Sequence, residues 1–68
     1  PLFAGFPPQI EVTRRTKGLY NYYFILNHAS ESVALKTEAG YFDLLEGRDA
    51  QAVFTLPPYG YKVLRKGE

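Results

Sequence analysis

The internal carboxylates Glu11, Glu31, Glu38, Asp43, Glu46 and Asp49 are the residues of this chain best equipped for acid–base chemistry. Paired carboxylates cleave glycosidic bonds when they face one another at roughly 5–10 Å and one is shielded enough to stay protonated. Most of these residues fall at expected turns or on outward strand positions, where water keeps a carboxyl ordinary. Asp43 stands apart, because it lies between apolar neighbours in YFDLL. His28 sits near Ser30 and Ser32, but the strained G-x-S-x-G turn of a hydrolase nucleophile is absent, and Ser–His neighbours of this kind cap turns. No catalytic residue is expected. With one histidine and no cysteine, neither a zinc site nor a disulfide framework is expected, and the chain should bind no metal and no cofactor.

The six tyrosines and five phenylalanines are a second chemical resource. A tyrosine ring stacks on sugar rings while its hydroxyl bonds to polar edges, so an exposed row of them could hold carbohydrate. Tyr41, Tyr59 and Tyr61 are the expected surface members, available for sugar or for contact with a neighbouring domain. Tyr20, Tyr22, Phe24, Phe42 and Phe54 fit a small β core. Residues 17–24 (KGLYNYYF) share a basic–glycine start and interleaved aromatics with an RNA-reading strand, yet Leu19, Tyr20 and Asn21 break that pattern. Arg14, Arg15 and Lys17 read as a solvated edge that discourages strand addition.

These residues need a scaffold, and 68 residues allow one domain with one core. A globule of this size hides only about 60% of the surface its unfolded chain exposes, so stability is expected to draw on a neighbouring surface. The net charge of +1 lacks the basic excess of phosphate binders, and a nucleic-acid partner is not favoured. No apolar stretch approaches the roughly 20 residues of a membrane-spanning helix, and no signal peptide is recognised. The absence of cysteine leaves the compartment open, with the cytoplasm favoured. A first residue of proline points to a fragment of a longer chain.

Aromatic and β-branched residues broken at intervals by five prolines and six glycines predict an all-β fold. Strands are expected over residues 10–15, 19–27, 32–37, 41–45, 51–56 and 61–65. Residues 29–40 contain helix formers, but Val33, Leu35 and Thr37 alternate with Ala34, Lys36 and Glu38, the period of two of a strand. Apolar bulk on both faces at Tyr23, Phe24 and Ile25 places the second strand mid-sheet and covered on both sides. Pro57-Pro58-Tyr59-Gly60 is a tight turn in which proline presets φ and glycine takes φ above zero.

The expected architecture is a small antiparallel β-sandwich of about six short strands, Greek-key-like. Its core is assigned to Ile10, Val12, Tyr22, Phe24, Leu26, Val33, Leu35, Phe42, Leu44, Phe54, Leu56 and Val63. Residues 1–9 form a proline-broken lead-in from an upstream domain, with Leu2, Phe3 and Phe6 packed on this domain or its neighbour. Residues 10–65 form the β domain, and 66–68 a polar tail.

Three stretches, IEVTRR, YYFILNHAS and the closing pair GYFDLLEGRDAQ and FTLPPYGYKVL, carry a family likeness from Ile10 to Arg65. The chain resembles the C-terminal β domain of bacterial β-galactosidases of glycoside hydrolase family 42. The resemblance implies a bacterial enzyme with a catalytic (β/α)₈ barrel, a middle domain and this antiparallel domain at its end. Both catalytic glutamates would belong to the barrel, and none maps onto this chain. The implied partners are the catalytic and middle domains of the same polypeptide, and the implied role is non-catalytic packing. An accessory carbohydrate-binding module and a single-stranded nucleic-acid-binding β-barrel are the alternatives.

Overall fold

The computed structural model describes residues 6–67. Leu2 and Phe3 of the lead-in lie outside them. Seven strands form two antiparallel sheets: β1 (Ile10–Lys17), β2 (Tyr20–Asn27), β3 (Val33–Lys36), β4 (Phe42–Asp43), β5 (Arg48–Asp49), β6 (Val53–Leu56) and β7 (Tyr61–Gly67). The larger sheet has the order β1-β2-β7-β4-β5, and β3 pairs with β6 in the smaller. The added strand is β5, where a simple turn is expected. Gly47 (φ 72°) lets the chain reverse and pair Phe42 with Asp49. The last strand runs to Gly67, beyond the expected Arg65, by pairing with Tyr20.

Residues 29–40 hold no helix. Val33, Leu35 and Thr37 are buried while Ala34, Lys36 and Glu38 are exposed, as the two-residue period requires. The first strand continues through Lys17, so the hairpin turn is Gly18-Leu19, and Leu19 sits exposed at its tip. As an edge strand β1 carries Arg14, Arg15 and Lys17 into solvent, an arrangement that opposes further strand addition.

The core lies between the two sheets. Ile10, Tyr23, Ile25 and Leu64 from the larger sheet meet Val33, Leu35 and Leu56 from the smaller, with Tyr41 beside them. Four of the expected core residues, Ile10, Val33, Leu35 and Leu56, are buried, and Val12 and Phe54 pack against them. The second strand presents the opposite face to the one expected. Tyr23, Ile25 and Asn27 point inward, whereas Tyr20 and Phe24 are exposed and Tyr22 and Leu26 half-buried. On the last strand Leu64 replaces Val63, and Tyr41 replaces the half-buried Phe42. Leu44 falls in a turn and is half-buried.

The physical reason is that the inner face carries polar groups that find partners there. Asn27, with no exposed surface, donates from Nδ2 to the carbonyls of Glu31 (2.8 Å) and Pro57 (3.0 Å) and accepts from the Ala29 amide (2.9 Å). One amide thus ties the end of β2 to the loop after it and to the turn before β7. The second strand is mid-sheet, between β1 and β7, but only one of its faces is covered by the described residues.

The lead-in does not simply hang from the domain. Phe6 packs against the core, Ile10 donates to the Pro7 carbonyl, and His28 donates to the Gln9 carbonyl. The chain therefore enters at the end of the sheet where β2 finishes and β7 begins.

Candidate functional site

The three tyrosines expected at the surface separate. Tyr59 and Tyr61 are 64% and 62% exposed, on the turn before β7 and at its first residue. Tyr41 is 5% exposed, which corrects its expected surface position. Its ring meets Tyr23 edge-on at 5.6 Å, and the Lys66 ammonium lies 4.9 Å from its centroid. Burial, then the neighbouring Tyr23 and Glu38, raise its phenol above the ordinary value. Lys66 and Tyr61 are five residues apart on one strand, about 16 Å at about 3.3 Å per residue. Tyr41 thus belongs to the opposite end of the sheet and shares no platform with the other two.

Tyr59 is the only described non-glycine residue with positive φ (57°). In the turn Pro57-Pro58-Tyr59-Gly60 the Gly60 amide donates to the Pro57 carbonyl at 2.8 Å. Tyr59, not Gly60 as expected, takes the left-handed backbone. Glycine is needed at 60 for space, since a Cβ there would sit 2.6 Å from Cδ of Pro57. The strained tyrosine is held by a hydrogen bond that its backbone N–H donates to the Ala29 carbonyl (3.1 Å).

Three of the six carboxylates, Asp43, Glu46 and Asp49, come together at one place. A recess of about 210 Å³ beside the β4–β5 hairpin is lined by Asp43, Glu46, Arg48, Gln51, Phe54 and Lys62, among others. Asp43 is 2% exposed. Its Oδ1 accepts the amides of Leu45 (2.9 Å) and Glu46 (3.0 Å), and its Oδ2 accepts Lys62 Nζ at 2.6 Å. Burial alone would push this carboxyl up, but the Lys62 and backbone hydrogen bonds and the lysine charge together hold it below its ordinary value. Glu46 in turn pairs with Arg48 at 2.6 Å and approaches Lys62 at 3.7 Å.

A general acid must keep its proton near neutral pH. Asp43 is shifted the other way, and its bonds to Lys62 and the turn amides do structural work. The recess is an ion-paired corner in which Lys62 also lies 5.4 Å from the centroid of the Phe54 ring. The sequence marked Asp43 as unusual, and its lysine partner nineteen residues on became visible only in the fold. His28 bonds Glu11 across the sheet end at 2.6 Å, with both side chains more than half exposed. No described serine hydrogen-bonds to its ring.

The feature that sequence reading missed is the outer face of the larger sheet. Tyr20, Tyr22, Phe24 and Leu26 of β2 stand beside Val63 and Arg65 of β7, and Phe42 of β4 pairs with Arg65. The Arg65 guanidinium lies 4.5 Å from the Tyr20 centroid and 5.0 Å from that of Phe42. The signal was present as apolar bulk on both faces of residues 20–26, and it was read as core.

The family model of the β-galactosidase C-terminal domain matches residues 9–66. No curated protein matches the chain in sequence. A crystal structure of β-galactosidase from Bacillus circulans sp. alkalophilus is similar over 98% of this chain, with 31% identity and a TM-score of 0.88. The chain spans 10% of that protein's length. With the family model matching from before the first strand to within the last, the chain belongs to the family of β-galactosidase C-terminal domains.

Proposed function

We infer that this chain is the non-catalytic terminal domain of a longer enzyme that hydrolyses terminal β-galactosides, and that it packs on and stabilises that enzyme's catalytic and middle domains. The observation that carries this reading is the fit of 98% of the chain onto 10% of a β-galactosidase. The ion-paired state of Asp43 and Glu46 agrees with it, because neither is free to act as acid or nucleophile. A domain of this size also gains most from a neighbour that covers apolar surface.

Removing the domain from the full-length enzyme tests this. The truncated enzyme should lose thermal stability by several degrees and inactivate faster, while its kcat/KM for a β-galactoside, measured before inactivation, stays within about threefold of the intact enzyme. A hundredfold fall in kcat/KM at unchanged stability would instead place the domain in the catalytic machinery.

One observation favours a second reading. Tyr59, on its left-handed turn, and Tyr61, at the first residue of β7, are both highly exposed, which suits a sugar-stacking contact. Titration with galactose or galacto-oligosaccharides, followed by tyrosine-ring NMR shifts, separates the two. Saturable shifts confined to these rings establish binding, and their absence up to molar sugar rejects it.

A further inference from the structure

We propose that the outer face of the five-stranded sheet, centred on Phe24 and Arg65, is the surface through which this domain docks on the preceding part of its own polypeptide. This holds only if the chain is, as inferred above, the terminal domain of a longer enzyme.

The face has the composition of a contact rather than of a solvated sheet. Phe24 and Tyr20 are 43% and 41% exposed, Phe24 in register with half-buried Val63 and Tyr20 with Gly67, with half-buried Tyr22 and Leu26 beside them on the same strand. On a sheet with one wet face those positions alternate to polar residues. Aromatic residues and arginine are the types enriched at the energetic centres of interfaces.

Arg65 sharpens the chemistry of what binds. Its guanidinium is held against the Tyr20 and Phe42 rings, and among the described residues it has no hydrogen-bonding or carboxylate partner. A planar donor fork fixed by two rings is preorganised for a bidentate acceptor. Arg15 pairs with Tyr22 and Lys17 with Tyr20 on the neighbouring strand, so that corner of the face is cationic. The complementary surface is apolar opposite Phe24, Leu26 and Val63, and carries a carboxylate opposite Arg65.

The size of the face decides between a tethered neighbour and a separate molecule. Three strands about 4.8 Å apart and six residues of rise at about 3.3 Å mark out roughly 300 Å². Counting both partners gives about 600 Å², well below the roughly 1,200–2,000 Å² of stable complexes between separate chains. It falls at the lower end of contacts between domains of one chain, about 600–1,500 Å², where the tether supplies the effective concentration. A related domain resides in a chain ten times longer than itself, so such a neighbour is at hand.

Site-specific photo-cross-linking in the full-length enzyme tests the assignment. p-Benzoylphenylalanine is placed at position 24, and in separate samples at Val53 and at Tyr59, both exposed elsewhere on the domain. Mixing isotope-labelled and unlabelled subunits distinguishes links within a chain from links between copies. Position 24 should give most of the intrachain product, at least fivefold more than position 53 or 59, with the linked peptide upstream of this domain. Intrachain links mainly from 53 or 59 would overturn the face and leave the stabilising role intact. Links from 24 to a second copy would replace docking with an oligomer contact. The absence of any upstream link, with truncation leaving stability unchanged, would overturn face and role together. As a second readout, Arg65→Glu should cut the position-24 product at least fivefold, and Arg65→Lys should restore part of it.

Discussion

The two faces of β2 have nearly the same apolar content and opposite fates. Tyr23, Ile25 and Asn27 are sealed between the sheets, while Tyr20 and Phe24, on the same strand, stay open. The sealed face contains an amide with every polar atom engaged, and the paired Asp43 and Lys62 lie on neighbouring strands of the same sheet. The open face contains aromatics and an arginine with rings but no acceptor. One face is organised to fold the domain, and the other retains capacity for a partner.

The comparison breaks most severely at Ile25, which has no exposed surface. Ile25→Ala removes buried methylenes and leaves a cavity, at a cost of about 3 kcal/mol. A domain of this size holds about 3–5 kcal/mol in total, so denaturant titration followed by circular dichroism should show no more than about 2 kcal/mol of stability left and a midpoint moved close to zero denaturant. Asn27→Ala comes next. It strands the Glu31 and Pro57 carbonyls and the Ala29 amide in the interior, costing about 2–3 kcal/mol, and the loop around Tyr59 should lose hydrogen-exchange protection first.

Asp43→Asn keeps the turn geometry but takes the charge from beside Lys62, at a cost of about 1–2 kcal/mol. The pH profile identifies the group. Because the folded carboxyl lies below its ordinary 3.8, its stabilising contribution is complete above that value and is lost as pH falls through the folded one. Asp43→Asn should flatten this acid limb. Tyr41 sets the alkaline side, with its phenol raised above 10.0 by burial. Its contribution is present below pH 10 and lost as pH rises through the folded value, and Tyr41→Phe should remove that dependence. The smallest change is expected at Phe24. In the free domain Phe24→Ala should cost less than about 1 kcal/mol, since much of the ring is already in water.

Several elements were legible before the fold was seen, for reasons that are local. The alternation of Val33, Leu35 and Thr37 against Ala34, Lys36 and Glu38 favoured strand over a competing helix at β3, and Pro57-Pro58-Tyr59-Gly60 announced its turn. The facing of β2 and β7 was not legible. Hydrophobic pattern favours the side with fewer polar residues, which led to Phe24 and Val63 over Ile25 and Leu64. Asn27 and Lys62 look like solvent residues until Pro57 and Asp43, distant in sequence, are brought against them. Tyr41 was misplaced for the same reason, because its neighbours Tyr23 and Lys66 come from other strands.

The most direct measurement is the thermal stability of Phe24→Lys in two settings, the full-length enzyme and the isolated 68-residue chain. If the open face serves a tethered neighbour, the substitution should lower the melting temperature of the enzyme by several degrees more than it lowers that of the isolated domain. An equal loss in both would show that Phe24 supports the fold of its own domain, and that no partner covers it.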